Sequence, residues 1–299
     1  MVGFLALANR HAHVADLAGL RAGLREAGFV EGHTIAIEER YCDGNPGRIV
    51  GFVEDLVKIG VQVFLVPGPA AARAVHKRTD TPVVAVALPY SNRHPDLFQA
   101  LNKPGGSITG FSLGSEELSA KRIQILREVV PEMATLAIMH NGRDPIYREW
   151  GIETETAAHA QGLKAIRLEL NAPDAAEIAR LMQEARAAGA QGMIVIRDFI
   201  SATMGEEIAS SAARGGIAAL SEQRDFCQAG GLLSYGANIP DLFRRSAVYI
   251  DKILKGSHPG DLPIQRPTAF DLVVNLKTAN LLRLTIPPAM LVQATEVIE

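Results

Sequence analysis

The chain has little to build catalytic chemistry with. It holds only two cysteines, Cys42 and Cys227, with no C-x-x-C pair and no zinc-type spacing, so both read as free thiols. No Gly-x-Gly occurs, which removes the dinucleotide fingerprint, and no Gly-Lys dipeptide occurs, which removes the P-loop. The His-x-His pair, His11 and His13, would need a third ligand from elsewhere to hold a metal, and the plainer reading is a pair of loop histidines. No positioned nucleophile with an acid or base partner stands out. Catalytic residues, metal and cofactor are therefore not expected. No apolar run approaches the ~20 residues of a membrane span. The start, Met1 to Leu7, leads at once into polar Asn9, Arg10 and His11, without a basic stretch followed by an apolar one, so the chain reads as a mature or truncated form. Lysines and arginines are scattered, with no basic stripe interleaved with aromatics, and nucleic acid is not an expected partner.

What is present is the composition of a globular protein. Of 299 residues 47% are hydrophobic and 21% charged, with a net charge of -3, which argues against both disorder and a membrane-embedded chain. The length exceeds what one hydrophobic core usually fills, so two lobes are the natural expectation. Short β-branched runs alternate with amphipathic segments, the signature of parallel βαβ units. Strands are predicted at Val2 to Leu7, Thr34 to Glu38, Val61 to Val66, Val83 to Ala87 and Ile108 to Phe111. The first helix carries Val14, Leu17, Leu20 and Leu24 at helical spacing. A second series follows Ser115, with strands at Thr135 to Met139, Lys164 to Leu168 and Met193 to Ile196. Its helices lie near Trp150 to Gln161, Ala175 to Ala188 and Gly205 to Arg214. Two halves of the same grammar suggest two doubly wound lobes, each with ligand-facing loops at the C-terminal ends of its strands.

Polar or helix-starting residues fall just after those strand ends. In the first series they are Asn9, Arg10 and His11, then Gly68, Pro69, Ala70 and Ala71, then Tyr90 and Ser91. In the second they are Asn141, then Asp198 and Phe199 after Arg197, then Ser221 and Glu222. A helix beginning at Pro69 leaves backbone N–H groups free to hold a carboxylate, and proline at that place loses no needed donor. The same small residues also suit plain helix-to-sheet packing. Asn141 precedes Gly142 and is equally a turn residue. Asp198 follows a strongly apolar strand and is either a ligand contact or a helix cap. Tyr90 and Phe199 serve either as rim packing or as stacking aromatics.

Several motifs taken together carry a resemblance. They are Gly28-Phe29-Val30-Glu31-Gly32, Pro104-Gly105-Gly106-Ser107-Ile108-Thr109-Gly110, Gly230-Gly231-Leu232-Leu233-Ser234-Tyr235-Gly236, Asn275-Leu276-Lys277-Thr278-Ala279 and Leu284-Thr285-Ile286-Pro287-Pro288. In this order they span nearly the whole chain. The sequence resembles the extracytoplasmic substrate-binding proteins of ABC transporters, in the branch that includes tryptophan- and tyrosine-binding members. The resemblance implies a type I periplasmic-binding-protein fold, an α/β architecture of two doubly wound parallel-sheet lobes joined by three crossover strands. The crossovers would lie near Phe111 to Ser115, Tyr235 to Asn238 and Val274 to Leu276. One lobe would then comprise 1–112 and 238–274 and the other 113–237 and 275–299, with a ligand cleft between them. Asp198 matches an aspartate that the family places at the cleft, and Tyr235 falls in the family's crossover signature. The implied partners are a small-molecule ligand and ABC permease transmembrane subunits, the implied state is a monomer, and the implied location is periplasmic or extracytoplasmic.

Two departures bear on the ligand. Where many relatives carry an Asp-Pro pair after the fourth strand, this chain has Leu88-Pro89-Tyr90-Ser91-Asn92-Arg93-His94, with no acid before His94. Where relatives commonly show a hydroxyl-bearing turn, it has Pro67-Gly68-Pro69. The expected ligand is a small amphipathic carboxylate, an aromatic acid or an aromatic amino acid, with the missing acid tilting the choice away from an amine. Two other readings are the effector-sensing domain of a regulator and a hydrolase or isomerase using Asp198 or Glu222 as base.

Overall fold

Strand and helix alternate from the second residue onward. The computed structural model describes residues 1–88, 95–114 and 118–299. The chain opens with β1 (Val2–Ala6), α1 (Val14–Glu26), β2 (Ile37–Tyr41), α2 (Ile49–Lys58), β3 (Val63–Pro67), α3 (Pro69–His76), β4 (Val83–Leu88) and β5 (Ile108–Ser112). It continues with α4 (Ser119–Val129), β6 (Thr135–Asn141), α5 (Pro145–Ala160), β7 (Lys164–Leu170), α6 (Ala175–Ala187) and β8 (Gly192–Val195). Next come α7 (Phe199–Thr203), α8 (Gly205–Arg214), β9 (Ala218–Ser221), α9 (Arg224–Gln228) and β10 (Leu233–Ala237). The last stretch is α10 (Ile239–Leu254), β11 (Phe270–Asn275), α11 (Leu276–Leu281), α12 (Pro288–Gln293) and β12 (Glu296–Ile298).

The residues gather into two units, Met1–Gly114 with Asn238–Thr268, and Ser115–Ala237 with Ala269–Glu299. The first unit is a five-stranded parallel sheet in the order β2-β1-β3-β4-β5. Its inner strands read as continuous apolar runs, Val-Phe-Leu-Val in β3 and Val-Val-Ala-Val in β4, because helices cover both faces of a parallel sheet. The edge strand β2, Ile-Glu-Glu-Arg-Tyr, is half-buried and charged. Those charges hide it from an apolar pattern, so it lies at Ile37–Tyr41 rather than at 34–38 as predicted. Val14 also departs from expectation: it opens α1 at 60% exposure, while Leu17, Leu20 and Leu24 are buried.

Helix α10 returns to the first unit and packs on α1. Two glycines of α1 make the close approach possible: a Cβ on Gly19 would meet the Pro240 carbonyl oxygen at 2.2 Å, and one on Gly23 the Arg244 oxygen at 1.9 Å. The segment after α10 is tied to the same unit. Thr109 donates to the Leu262 carbonyl at 2.6 Å, Tyr249 to Pro263 at 2.6 Å, and the Ser112 amide to Gln265 at 2.8 Å.

The second unit holds a seven-stranded sheet in the order β12-β11-β10-β9-β8-β6-β7. Successive residues of β6 enter opposite cores: Leu136 and Ile138 pack with α4 and α5, Ala137 and Met139 with α6 and α8. This sheet is not wholly parallel, because β11 pairs antiparallel with β10, Leu233 opposite Val274 and Ala237 opposite Phe270. That pairing corrects the sequence-based division. Residues 269–274 belong to the second unit rather than the first, residues 113 and 114 to the first rather than the second, and the third passage between units falls at Thr268 and Ala269, not near Val274 to Leu276.

Candidate functional site

Each sheet has one place where the chain winds outward in both directions, and in open α/β sheets ligands bind in the crevice that forms there beyond the strands' C-terminal ends. In the first unit it lies between β1 and β3. In the second it lies between β6 and β8. Of the sequence-predicted residues that the structure describes, Asn9 to His11 and Gly68 to Ala71 follow the two strands at the first place, Asn141 ends β6 and Asp198 and Phe199 follow β8 at the second, and Ser221 and Glu222 end and follow the neighbouring β9.

In the first unit, the residues after β1 form a short turn. Asn9 Oδ1 accepts from the Ala12 amide at 3.1 Å, and His11 is exposed. The Arg10 side chain is 74% exposed, its guanidinium 3.5 Å from Glu39 Oε2. His13 takes a different part from His11: it is buried, with Nδ1 2.9 Å from Asp16 Oδ2, and its ring meets Phe4 edge-on at 5.5 Å. The two histidines therefore do not converge. After β3, Gly68 adopts φ 89°, a conformation costly for any residue with a Cβ, and its amide bonds the Val86 carbonyl at 2.6 Å. Pro69 then starts α3, with Pro69 and Ala71 buried and Ala70 half-buried. Tyr90 and Ser91 lie outside the described residues.

In the second unit, the predicted residues are joined by hydrogen bonds. Asn141 Nδ2, at the end of β6, donates to Asp198 Oδ2 at 2.5 Å and so bridges the crevice to the loop after β8. Asn141 Oδ1 accepts from the Arg143 amide at 2.8 Å. Asp198 caps α7: its Oδ1 accepts from the Ile200 and Ser201 amides at 3.1 and 3.0 Å, and Ser201 Oγ accepts from the Asp198 amide at 2.8 Å. The cap and the ligand contact do not exclude each other, because a carboxylate has about four acceptor sites and three are used here. Burial pushes the Asp198 carboxyl above the ordinary range, against the hydrogen bonds from Ser201, Asn141 and Ile200 that favour its charged form.

Glu222, also buried, accepts from the Arg197 amide at 3.1 Å, which holds the β8 and β9 loops together. The Ser221 hydroxyl donates to the Val195 carbonyl at 2.9 Å and is thereby committed to the sheet. Phe199 is half-buried at the start of α7. Two neighbours complete the group, Arg197, which the sequence places after the same strand as Asp198, and Tyr147, which sequence reasoning missed. The Arg197 side chain is 13% exposed, its Nη2 4.0 Å from Asp225 Oδ2. Tyr147, on the first turn of α5, is buried, with Asp198, Asp144 and Glu222 as its acidic neighbours. The cue for Tyr147 was position alone, since it lies six residues after Asn141.

Tyr235 is half-buried, stacks on Phe270 at 6.1 Å and lines a separate cavity of about 110 Å³ with Lys121, Ile125, Leu272 and Met290. The pentapeptide Gly110-Phe111-Ser112-Leu113-Gly114 has the G-x-S-x-G spacing of a nucleophile elbow but not its structure. Ser112 ends β5, fully buried, and its hydroxyl accepts from the Gly114 amide at 3.1 Å.

Residues 2–298 match the family model described as ABC transporter substrate binding protein. A conserved domain protein from Vibrio cholerae O1 biovar eltor superposes with a TM-score of 0.89 at 23% identity, covering 99% of this chain and 98% of its own. An ABC domain in complex with L-Trp from Streptococcus pneumonia superposes at 0.87 with 22% identity and full coverage of both chains, 100% and 100%. The ligand-free, open structure of a substrate-binding protein with adhesive properties from Clostridium difficile reaches 0.70 at 19% identity, over 99% and 98%. At these identities the solved structures establish the shared fold. No curated protein sequence matches the chain.

Proposed function

Because the chain belongs to the ABC transporter substrate-binding protein family, we propose that it is the extracytoplasmic solute receptor of an importer, a monomer that binds by hinge closure and delivers its ligand to permease subunits. Proteins of this family bind solutes and are not enzymes. The proposed ligand is a small amphipathic carboxylate, an aromatic acid or an aromatic amino acid. The observation that carries the reading is the Asn141–Asp198 bridge at the winding point of the second sheet, with Glu222 beside it. It supplies buried, oriented polar groups of the kind that fix a ligand's polar end. In the first unit, the start of α3 offers the Ala70 and Ala71 amides, which helix geometry leaves without an acceptor inside the helix and which suit a carboxylate. The L-Trp held by the Streptococcus relative supports an aromatic body, which Phe199 would cover.

The absence of an acid before His94 favours ligands without an amine. A thermal-shift panel pairing phenylalanine, tyrosine and tryptophan with their keto analogues tests this, since a bound ligand raises apparent stability by mass action. The expected result is stabilisation by the keto acids. Stabilisation by the amino acids alone would overturn the preference and make Asp198 the ammonium partner, and stabilisation by neither would overturn the ligand class.

A further inference from the structure

The buried tyrosines of this protein are not alike. Tyr249 is 3% exposed and its hydroxyl donates to the Pro263 carbonyl at 2.6 Å; half-buried Tyr41 donates to Glu39 Oε2 at 2.8 Å. Tyr147 is 8% exposed, yet its hydroxyl has no hydrogen-bond partner among the described residues. Its ring is firmly held. It stacks on Trp150 at 6.4 Å and 21°, and Trp150 Nε1 in turn donates to Ser119 Oγ at 3.2 Å. Among the described residues the polar side-chain atoms both enclosed and unpaired are His140 Nε2 and Gln223 Nε2; the Tyr147 hydroxyl is not one of them, so it keeps contact with solvent, and an opening to one oxygen of so deeply held a ring calls for a reason.

Its place supplies one. Asp144 caps α5, Pro145 occupies its first position and Tyr147 its third, so the ring stands on the turn that follows directly from Asn141. The charges acting on the phenol are the carboxylates of Asp198, Asp144 and Glu222 and the guanidinium of Arg197. Burial and the carboxylates push it far from ionisation, so it stays a neutral O–H able to donate. None of these groups bonds it.

We infer that the Tyr147 hydroxyl is reserved for the solute: it donates to an acceptor oxygen of the ligand's polar end, a carboxylate or keto oxygen, and is a specificity-determining residue. This rests on the reading of the β6 and β8 loop edge as the binding site. A hydroxyl that no protein group bonds and that solvent reaches carries a signature that a structural group lacks, because removing it weakens binding without weakening the fold.

The test is Tyr147→Phe, which deletes one oxygen and keeps the stack on Trp150. Its Tm is expected to equal or exceed that of the unaltered protein, while affinity for the tightest binder among L-tryptophan, L-phenylalanine and phenylpyruvate falls roughly 3- to 10-fold, the loss of one net hydrogen bond. Discrimination between L-phenylalanine and phenethylamine, which lacks the acceptor carboxylate, narrows in the variant. A lower Tm would mark the hydroxyl as structural and overturn the inference, as would unaltered affinities. If no probe binds the unaltered protein, the aromatic-acid reading fails separately, and the melting comparison alone then decides: a less stable variant overturns the inference, an equal or more stable one upholds it.

Discussion

At the residue scale, burial decides the chemistry. Cys42 and Cys227 are free and buried, and burial raises their thiols to about 11 and about 12. Neither is expected to react with a disulfide reagent at pH 8 in the folded protein, and two thiols per chain are expected after denaturation, read by absorbance. Asp198 was legible as a site residue because a lone acid follows a strongly apolar strand. Its double duty was not, since the Asn141 partner lies 57 residues away and only the sheet brings them together. Asp198→Ala is therefore expected to do more than weaken binding. Loss of the cap should lower stability by about 0.5–2 kcal/mol, measured by urea melts, and loss of a charge-assisted contact should weaken ligand binding by about 1.5–3 kcal/mol, measured by calorimetry. The pH dependence has a definite sign. With its folded value raised, Asp198 binds a proton more readily in the folded state, so its contribution is fully present below the ordinary carboxylate value and is lost as pH rises through the raised one. Relative to Asp198→Asn, which cannot ionise, the unaltered protein should lose stability on going from pH 3 upward; parallel profiles would refute this.

At the element scale, pattern predicts type better than limits. The periodic helix Gly205–Arg214 lies where its spacing puts it, whereas β2 is displaced by three residues because an edge strand tolerates Glu38, Glu39 and Arg40. The strand β11 carries no cue to its antiparallel sense, which is decided by its register on β10. Helix packing offers a paired test. Gly23→Ala gains about 1 kcal/mol of helix propensity but drives a Cβ to 1.9 Å from the Arg244 oxygen, and overpacking of that kind costs about 1–3 kcal/mol. A Cβ on Gly51 in α2 meets nothing within 4 Å. Gly23→Ala should lower the urea midpoint and Gly51→Ala should raise it slightly, by the equivalent of about 0.5–1 kcal/mol.

At the scale of the whole molecule, the chain passes three times from one unit to the other, after Gly114, after Ala237 and after Thr268. Hinge closure by a solute receptor is a population shift, as large as the ligand's differential affinity for the closed state allows. Small-angle scattering with a saturating ligand from the panel should show a smaller radius of gyration than without it. An unchanged radius at saturation would count against closure.

What the sequence by itself determined was the alternation of strands and helices, the loops at strand ends that hold the candidate residues, and a family resemblance that the family match bears out. Local pattern suffices there, because hydrophobic period and turn chemistry act over a few residues. Tertiary structure alone decided where the third passage falls, that Ser221 is committed to Val195, that Asn141 and Asp198 bridge one crevice, and that Tyr147 stands there with a free hydroxyl. Each depends on partners far apart in the chain. Register and strand order bring such groups together, and neither is written in the spacing of nearby residues.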